Sequence, residues 1–446
     1  MAATNKMRRA NKREQDEEPI SEFCRKIEVE NRVITICMHK NKKNNNSKTR
    51  TTLDVLPSCL IYKILCYLPF KEATQMSILS KTWLQAWLTH PNLEFEFGVP
   101  YMKIVDAIME RYRDKKIPIE KFELSDSSSS SSRGFPLIDK WIDIALQNGV
   151  KDLVFKVADV SLPIFTILAA KCLRELVLEG CTLMPTGVVK CNSLRKLSLS
   201  YVGLDEDMLR TLLNSCPLIV SLVFEYCSGV GRIELLNLEK IKSVSISTQS
   251  NLLVKIRAPT LEHLSYSGYL SYGLDVDECQ NLTSLDLSYM WTSGGSLEYL
   301  ISRLQSLKVL KIQYFEGIAE INSPNLVSFE YIGDQIPGLK IARDSRKLKH
   351  SEIVLHCYDY LNIDAWFCKL RNFLSNSTSW SQVSLYFPKC NEINMKDLQL
   401  LHNRSIAAPQ VDVLDVYIPC QNEEYCPTFV QALLWSCHPT RLNLHS

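Results

Sequence analysis

The sequence lacks the features by which membrane spans, metal sites and the common enzyme classes are recognised. No apolar run in its 446 residues approaches the ~20 residues that a membrane-spanning helix needs. The motifs GxGxxG, GxxxxGK followed by Ser or Thr, HExxH and GxSxG are absent from their usual contexts. Because its net charge is only +2, the chain as a whole is not expected to bind a polyelectrolyte. We therefore expect a non-catalytic protein with no cofactor, no metal site and no membrane span.

The 16 cysteines follow no recognised pattern. No two are spaced as CxxC, and no Cys and His residues cluster at zinc-binding intervals. Cysteines spread among buried-looking positions, in a long chain without a signal-peptide pattern, are typical of a reduced protein. We expect an intracellular protein of the nucleus, the cytoplasm or both.

Positive charge is concentrated in residues 1–50. This segment holds 13 Lys and Arg against 7 Asp and Glu, and it has few large apolar residues. Because it cannot bury enough surface to offset the entropy of ordering, we interpret it as a disordered, low-complexity tail. Its basic clusters, within residues 6–13 and 40–50, fit either nuclear-import signals or a solvated tail.

Near residue 53 the composition changes to an apolar segment with helical periodicity. Pro57 suits the start of a first helix, and Ser80 can cap a third helix that carries Trp83 and Trp87. Two tryptophans four residues apart lie on one helix face. The segment 53–97 has more large apolar residues than so small a unit can bury. We expect it to pack on the following repeats, on another protein, or on both.

From about residue 119 an apolar triplet of the form LxxLxL recurs along the chain. Between Val150 and Leu326 successive triplets begin 19 to 25 residues apart. One alternating strand every twenty-odd residues is the signature of a leucine-rich-repeat solenoid, an α/β fold. We expect parallel strands on its concave face and helices or irregular segments on its convex face. We assign residues 101–335 to this solenoid and residues 336–446, where the pattern weakens, to atypical C-terminal repeats.

The helical segment combines several short stretches in a familiar order. A Leu56-Pro57 opening is followed by KILCYLP, ILSKTW and THPNLEF. In this combination the segment resembles an F-box. The repeats that follow, with LLNSCPLIVSLVFEYC and APTLEHLSYSG, resemble those of the plant F-box/leucine-rich-repeat family. The resemblance covers residues 53 to 446.

This resemblance implies a substrate-recognition subunit of a Skp-cullin-F-box ubiquitin ligase. The F-box would dock a Skp-type adaptor and, through it, a cullin, while the repeats would hold an unknown target protein. The implied adaptor-facing residues are Leu56, Pro57, Leu60, Ile64, Leu68, Pro69, Leu79 and Trp83, with Trp87 packing nearby. Ser58, Cys59 and Thr82 depart from the family pattern, so we expect altered affinity or adaptor choice. The alternative is a module that only caps the solenoid.

The residues between the apolar positions of each triplet are expected on the concave face. From Leu173 to Tyr331, 11 of 24 such positions are serine, and the charges are few and mixed. Without a cluster of Lys and Arg, nucleic acid is a poor candidate for this face. It would suit a peptide or a small ligand held by hydrogen bonds, although serines could simply relieve crowding inside a curve.

Four tyrosines recur at one position of the repeat. Tyr201, Tyr226, Tyr289 and Tyr314 each stand two residues after the last apolar residue of a triplet. Each pair comes from adjacent repeats, so the rings could stack and could anchor a target. With His263 and Asp286 they form our predicted target-binding set, and purely structural stacking is the alternative. A hormone-like small-molecule receptor and a non-ligase scaffold are the alternative functions.

Overall fold

The computed structural model describes residues 56–97, 102–126, 137–184, 187, 189–236, 238–249, 252–268, 273–289, 295–341, 348–357, 363–376, 380–389, 393–396, 398, 408–418 and 426–445. The predicted tail of residues 1–50, with its basic clusters, lies outside the described residues. The chain divides into two compact units, Met1–Leu194 and Arg195–Ser446.

Three short helices open the first unit, as the sequence predicts. They are α1 (Ser58–Cys66), α2 (Phe70–Met76) and α3 (Lys81–Trp87). Pro57 and Pro69 occupy the N-cap positions of α1 and α2, where a missing backbone N–H costs nothing. The Ser80 side chain caps α3 by accepting a hydrogen bond from the backbone N–H of Trp83 at 3.5 Å. The helix starts therefore follow from the residues themselves.

The rest of the first unit is a parallel sheet with helices between its strands. In chain order the elements are β1 (Asn92–Phe97), α4 (Met102–Lys115), β2 (Lys121–Asp126), α5 (Ile138–Gln147), β3 (Asp152–Lys156), β4 (Ser161–Leu162), α6 (Ile164–Leu168), β5 (Glu175–Glu179) and β6 (Thr182–Leu183). The sheet order is β1-β2-β3-β5, and β4 pairs separately with β6. Strand β1 was not predicted. It follows the helical module directly and pairs Leu93 with Phe122.

The second unit repeats the strand-and-return pattern many times. Its elements are β7 (Lys196–Ser200), α7 (Glu206–Ser215), β8 (Ser221–Glu225), β9 (Arg232–Leu235), β10 (Ser243–Ser247), β11 (Leu253–Ile256), β12 (His263–Ser267), β13 (Leu274–Asp275), β14 (Ser284–Ser288), α8 (Ser296–Arg303), β15 (Val309–Gln313), β16 (Ile318–Ile321), β17 (Ser328–Gly333), β18 (Gly338–Ile341), β19 (His350–His356), α9 (Ile363–Leu374), β20 (Trp380–Tyr386), β21 (Gln410–Tyr417), α10 (Pro427–Ser436) and β22 (His438–His445). Its main parallel sheet runs β7-β8-β10-β12-β14-β15-β17-β19-β20-β21-β22. Smaller parallel sheets, β13-β11-β9 and β16-β18, form along the return segments.

The apolar triplets set the register of these strands. Leu285 pairs with Leu310 and Leu287 with Ile312, and all four side chains are fully buried. Alternating side chains point away from this core, so the intervening residues form the other face of the sheet. The predicted α/β architecture, a three-helix module followed by leucine-rich repeats, is confirmed. The weaker C-terminal pattern also corresponds to parallel strands, β19 to β22.

Candidate docking and target-binding surfaces

A buried histidine joins the helical module to the first strand and to the first long helix. The Nδ1 atom of His90 lies 2.7 Å from the carbonyl oxygen of Asn92 and 3.1 Å from its backbone nitrogen. Nε2 donates to the carbonyl of Leu65, at the end of α1, over 2.9 Å. The carbonyl of His90 accepts from the Tyr112 hydroxyl of α4 at 2.7 Å. His90 is fully buried, and its role was not predicted beyond its place in the THPNLEF stretch.

Aromatic side chains continue this connection from the module into the sheet. The Phe70 ring centroid lies 6.0 Å from that of Trp87 and 5.4 Å from that of Phe95. Phe95 in turn lies 6.2 Å from Phe122 of the next strand. The Arg111 guanidinium of α4 stands 5.9 Å from the Trp87 ring. Phe70 and Phe95 thus join the module to the first strands, and Trp87 packs against Phe70 and Arg111.

The predicted adaptor-facing residues divide by exposure. Pro57, Leu60, Ile64, Pro69 and Leu79 are exposed, and Leu56 and Leu68 are half-buried. Of 14 large apolar side chains exposed among the described residues, five lie between Leu60 and Leu79. That concentration makes an apolar surface patch, which we call the docking face: Leu60, Tyr62, Ile64, Tyr67 and Leu79. Tyr62 and Tyr67 were not predicted.

The two tryptophans lie beneath this face and not on it. Trp83 is 1 % exposed and Trp87 is 2 % exposed. The sequence predicted that Trp83 faces the adaptor, but in this structure Trp83 is buried inside the module and has almost no solvent-accessible surface. The Trp87 indole N–H donates to Thr74 Oγ1 at 3.1 Å, whereas no described residue accepts from the Trp83 indole N–H. Both rings build the core that supports the docking face.

The four predicted tyrosines stack in two pairs. The ring centroids of Tyr201 and Tyr226 are 5.3 Å apart with an interplanar angle of 22°. Those of Tyr289 and Tyr314 are 4.9 Å apart at 9°. Tyr201, Tyr226 and Tyr289 are exposed. The geometry of stacking is therefore as predicted, and both pairs present ring surface to solvent.

These tyrosines adopt a backbone conformation that is unusual for a large residue. Their φ angles are 54° for Tyr201, 51° for Tyr226, 54° for Tyr289 and 51° for Tyr314. The left-handed region costs an L-residue roughly 1–2 kcal/mol relative to its usual conformations. Each tyrosine directly follows a strand, and its N–H bonds to the neighbouring strand, as in Tyr289 N–H to the Gln313 carbonyl at 2.9 Å. Thr248, which makes the same bond to the Ser267 carbonyl at 2.9 Å, does not have a positive φ, so the conformation is shared by the four tyrosines and not by every residue at this position.

Asp286 and His263 stand on the outward face of adjacent strands. Register places Asp286 between Ser265 and Lys311. Its Oδ1 atom is shielded from solvent and has no hydrogen-bond partner among the described residues, because Lys311 Nζ is held by Glu330 at 2.5 Å. Burial raises the pKa of Asp286 above its ordinary value, although Lys311 opposes this. His263 is exposed in the strand beside it.

A third ring stack, which was not predicted from the sequence, lies on the last four strands. The rings of His356, Tyr386, Tyr417 and His445 follow one another at centroid distances of 4.6, 4.4 and 4.5 Å. Each ring residue directly follows the last apolar residue of its triplet, and that spacing was a usable signal. Beneath them Asp415 accepts from Gln382 at 3.0 Å and lies 3.2 Å from His445 Nε2.

One cavity in the described part of the chain lies away from these stacks. An open polar groove of about 430 Å³ is lined by Asn281, Thr283, Gln305, Ser306, Lys308, Asn325 and Val327. It sits where strands begin, whereas the tyrosine pairs sit where strands end. Among the described residues, no three His, Cys, Asp or Glu side chains could hold a metal ion together. Nor does any described helix have the length and apolarity to cross a membrane.

The geometry defines a class: a small helical module clasped to parallel-strand repeats. Comparison with known families agrees. A model of the F-box domain matches residues 53–95, and a model described as "At1g61320/AtMIF1, LRR domain" matches residues 108–293. The chain therefore carries an F-box domain followed by a leucine-rich-repeat domain.

Its relatives among curated proteins come from Arabidopsis thaliana. They include FBD-associated F-box protein At3g52670, 29 % identical over 60 % of this chain and 66 % of the relative. F-box/LRR-repeat protein At3g03360 is 27 % identical over 44 % of this chain and 43 % of the relative. F-box/LRR-repeat protein 13 is 27 % identical over 53 % and 56 %. The chain thus spans between 43 % and 66 % of the length of these relatives.

Proposed function

We propose that this chain is a substrate-recognition subunit of a Skp-cullin-F-box ubiquitin ligase. Its docking face would bind a Skp-type adaptor, and its repeats would hold a target protein for ubiquitination. The match of residues 53–95 to the F-box domain supports the adaptor half of this proposal. The tyrosine pairs and the outward face of the second unit support the target half.

The observation that carries the proposal is the contrast between the two faces of the module. One face is closed by His90, which contacts Asn92 of β1 and Tyr112 of α4, and by Phe70, which packs on Phe95 of β1. By contrast, apolar side chains are exposed to solvent at Leu60, which is 45 % exposed, and at Tyr67, which is 80 % exposed. Exposed apolar side chains concentrated in one small region mark an interaction surface. A module that served only as a cap would have no need of that surface.

The mechanism requires no reactive side chain in this chain. A ligase adaptor places a substrate lysine near a loaded conjugating enzyme, and the gain in rate comes from proximity and orientation. The clasp at His90 suits this role because it fixes α1 against β1 and α4. A docking helix held at a set angle to the sheet transmits position better than one on a free linker.

Co-purification tests this function. Tagged full-length chain would be isolated from plant cells in three forms: wild type, Leu60→Asp, and Leu434→Asp as the control. Leu434 lies on α10 and is 44 % exposed, which matches the 45 % of Leu60. We expect the Skp-type adaptor and cullin with the wild type and the control, and loss of both with Leu60→Asp. A wild-type chain that brings down neither would contradict the proposal.

A further inference from the structure

Between the two tyrosine pairs lies a stretch of sheet with small side chains. The residues that directly follow β10 and β12 are Thr248 and Gly268, where the flanking strands have Tyr226 and Tyr289. Three strand spacings separate Tyr226 from Tyr289, or about 14 Å along the backbone. A Cβ on Gly268 would come within 2.8 Å of Thr248 Cγ2, so this position excludes a side chain. The tyrosine pairs therefore bound a notch two strands wide.

Hydroxyl groups cover the base of this notch. Strands β10 and β12 present Ser245, Ser247, Ser265 and Ser267 outward, and all four are half-buried. We call these four residues the serine floor. A serine hydroxyl both donates and accepts hydrogen bonds, so the floor can pair with the backbone of an incoming chain. Its small side chains leave room for that chain to approach.

A carboxylate stands on either side of the serine floor. Glu225 belongs to the strand before it and Asp286 to the strand after it. All outward positions of β8, β10, β12 and β14 are described; apart from His263, these two acids are their only ionisable residues, and none is Lys or Arg. The outward face of these four strands therefore carries net negative charge, and Lys311 lies on the next strand beside Asp286.

The two acids are only partly compensated by the protein itself. Glu225 Oε2 accepts only a neutral hydrogen bond from Ser200, at 3.2 Å, among the contacts described. The Asp286 carboxyl group has a hydrogen bond with Ser288 and is attracted by Lys311, which itself pairs with Glu330. Its Oδ1 atom has no hydrogen-bond partner among the described residues. A shielded carboxylate oxygen without a donor costs free energy when the group is ionised. An incoming cation would supply that donor.

We propose that the serine floor holds an extended segment of a target protein with two Lys or Arg side chains four residues apart. An extended chain rises about 3.3 Å per residue, so four residues span about 13 Å. Strand register places Asp286 two residues before the level of Glu225, so the two acidic positions lie about 16 Å apart, which flexible Lys or Arg side chains can bridge. Residues i and i+4 of such a segment face the same side. Each cation would meet Glu225 or Asp286, and the cation at Glu225 would lie against the adjacent ring of Tyr226. Small residues between them would fit the notch.

Selection from a random peptide library tests this directly. The purified full-length chain would be panned against displayed dodecapeptides, beside a Glu225→Gln/Asp286→Asn variant. We expect the wild type to enrich peptides with two basic residues separated by three others, and the variant not to. Enrichment of acidic or uncharged peptides, or no enrichment with the wild type, would overturn the inference.

Titration with defined peptides then tests whether binding depends on the spacing of the two basic residues. One fluorescein-labelled probe is Ser-Gly-Arg-Ser-Gly-Ser-Arg-Gly-Ser, and its matched partner has the same composition with adjacent arginines. We expect the first to bind at least tenfold more tightly, and the Glu225→Gln/Asp286→Asn variant to lose that preference. The control variant Asp207→Asn/Glu239→Gln removes two exposed carboxylates elsewhere and should bind like the wild type. Equal affinity for both probes would be contrary to the proposal.

This inference rests on the proposed function, because it takes the outward face as the target-holding surface. Binding of the Skp-type adaptor, measured on the same preparations, separates the two. A chain that binds the adaptor but not the paired-arginine peptide overturns this inference alone. A chain that binds the peptide but not the adaptor overturns the ligase role alone.

Discussion

The Nε2 atom of His90 lies 2.9 Å from the carbonyl oxygen of Leu65, 25 residues earlier in the chain. Leu65 lies in the last turn of α1, the helix that carries Leu60 and Ile64 of the docking face. The carbonyl of His90 meanwhile accepts from Tyr112 of α4. One buried imidazole thus ties the docking helix to the part of the chain where the repeats begin.

Replacing His90 should loosen this connection. In His90→Ala the Leu65 carbonyl loses its donor and a cavity opens, so we expect roughly 2–4 kcal/mol of destabilisation. Denaturant unfolding followed by tryptophan fluorescence would measure it, since Trp83 and Trp87 both lie in the module. His350→Ala, at an exposed strand position, is the control and should unfold like the wild type. Identical midpoints for His90→Ala and the wild type would contradict the structural role.

The two tryptophans should respond differently to loss of the indole N–H. Trp87→Phe breaks a hydrogen bond to Thr74, while Trp83→Phe breaks none among the described residues. In a double-mutant cycle we expect Trp87→Phe and Thr74→Val to couple by about 1 kcal/mol. The same cycle with Trp83→Phe should show coupling near zero. Equal coupling for both tryptophans would mean that the assigned hydrogen bond is wrong.

The positive φ angle of Tyr289 predicts which substitutions at this position destabilise the protein least. At position 289, glycine tolerates the left-handed backbone, whereas valine is β-branched and strained there. We expect Tyr289→Gly to be more stable than Tyr289→Val by roughly 1–2 kcal/mol. Urea unfolding of the two variants measures this difference. A more stable valine variant would show that the strand end does not hold the conformation described.

Asp415 predicts a pH dependence of stability. Burial alone would raise its pKa, but hydrogen bonds from Asn443, His445 and Gln382 outweigh this, and the pKa lies below its ordinary value. The ionised form therefore stabilises the fold above the unfolded pKa of about 4, and the contribution is lost as the pH falls through the lower folded pKa. Asp415→Asn should destabilise the protein at neutral pH.

The difference in the free energy of unfolding between Asp415→Asn and the wild type should become smaller as the pH falls. Denaturant midpoints measured from neutral pH down to about pH 3 would show the convergence. The exposed neighbour Asp412, changed to Asn, provides the control and should leave the midpoint at neutral pH nearly unchanged. A penalty for Asp415→Asn that stayed constant with pH would indicate lost packing and not lost charge.

The sequence predicted the repeats well because their signal is local and periodic. Each triplet, such as Leu282, Leu285 and Leu287, predicts one strand without reference to distant residues. Parallel pairing then aligns that strand with the strand of the next repeat. The tyrosine stacks followed from the same period. The position of Trp83 did not follow, since a helical stripe shows which residues share a face but not what covers that face. His90 was missed because its partners are Leu65 and Tyr112, each more than 20 residues away.

Calorimetric titration of a purified Skp-type adaptor into the purified chain tests the central claim most directly. We predict saturable binding with one adaptor per chain for the wild type and for Leu434→Asp. Leu60→Asp should weaken binding at least tenfold, or about 1.4 kcal/mol. A wild-type chain that gives no binding heat, or a Leu60→Asp chain that binds as tightly as the wild type, would contradict the account.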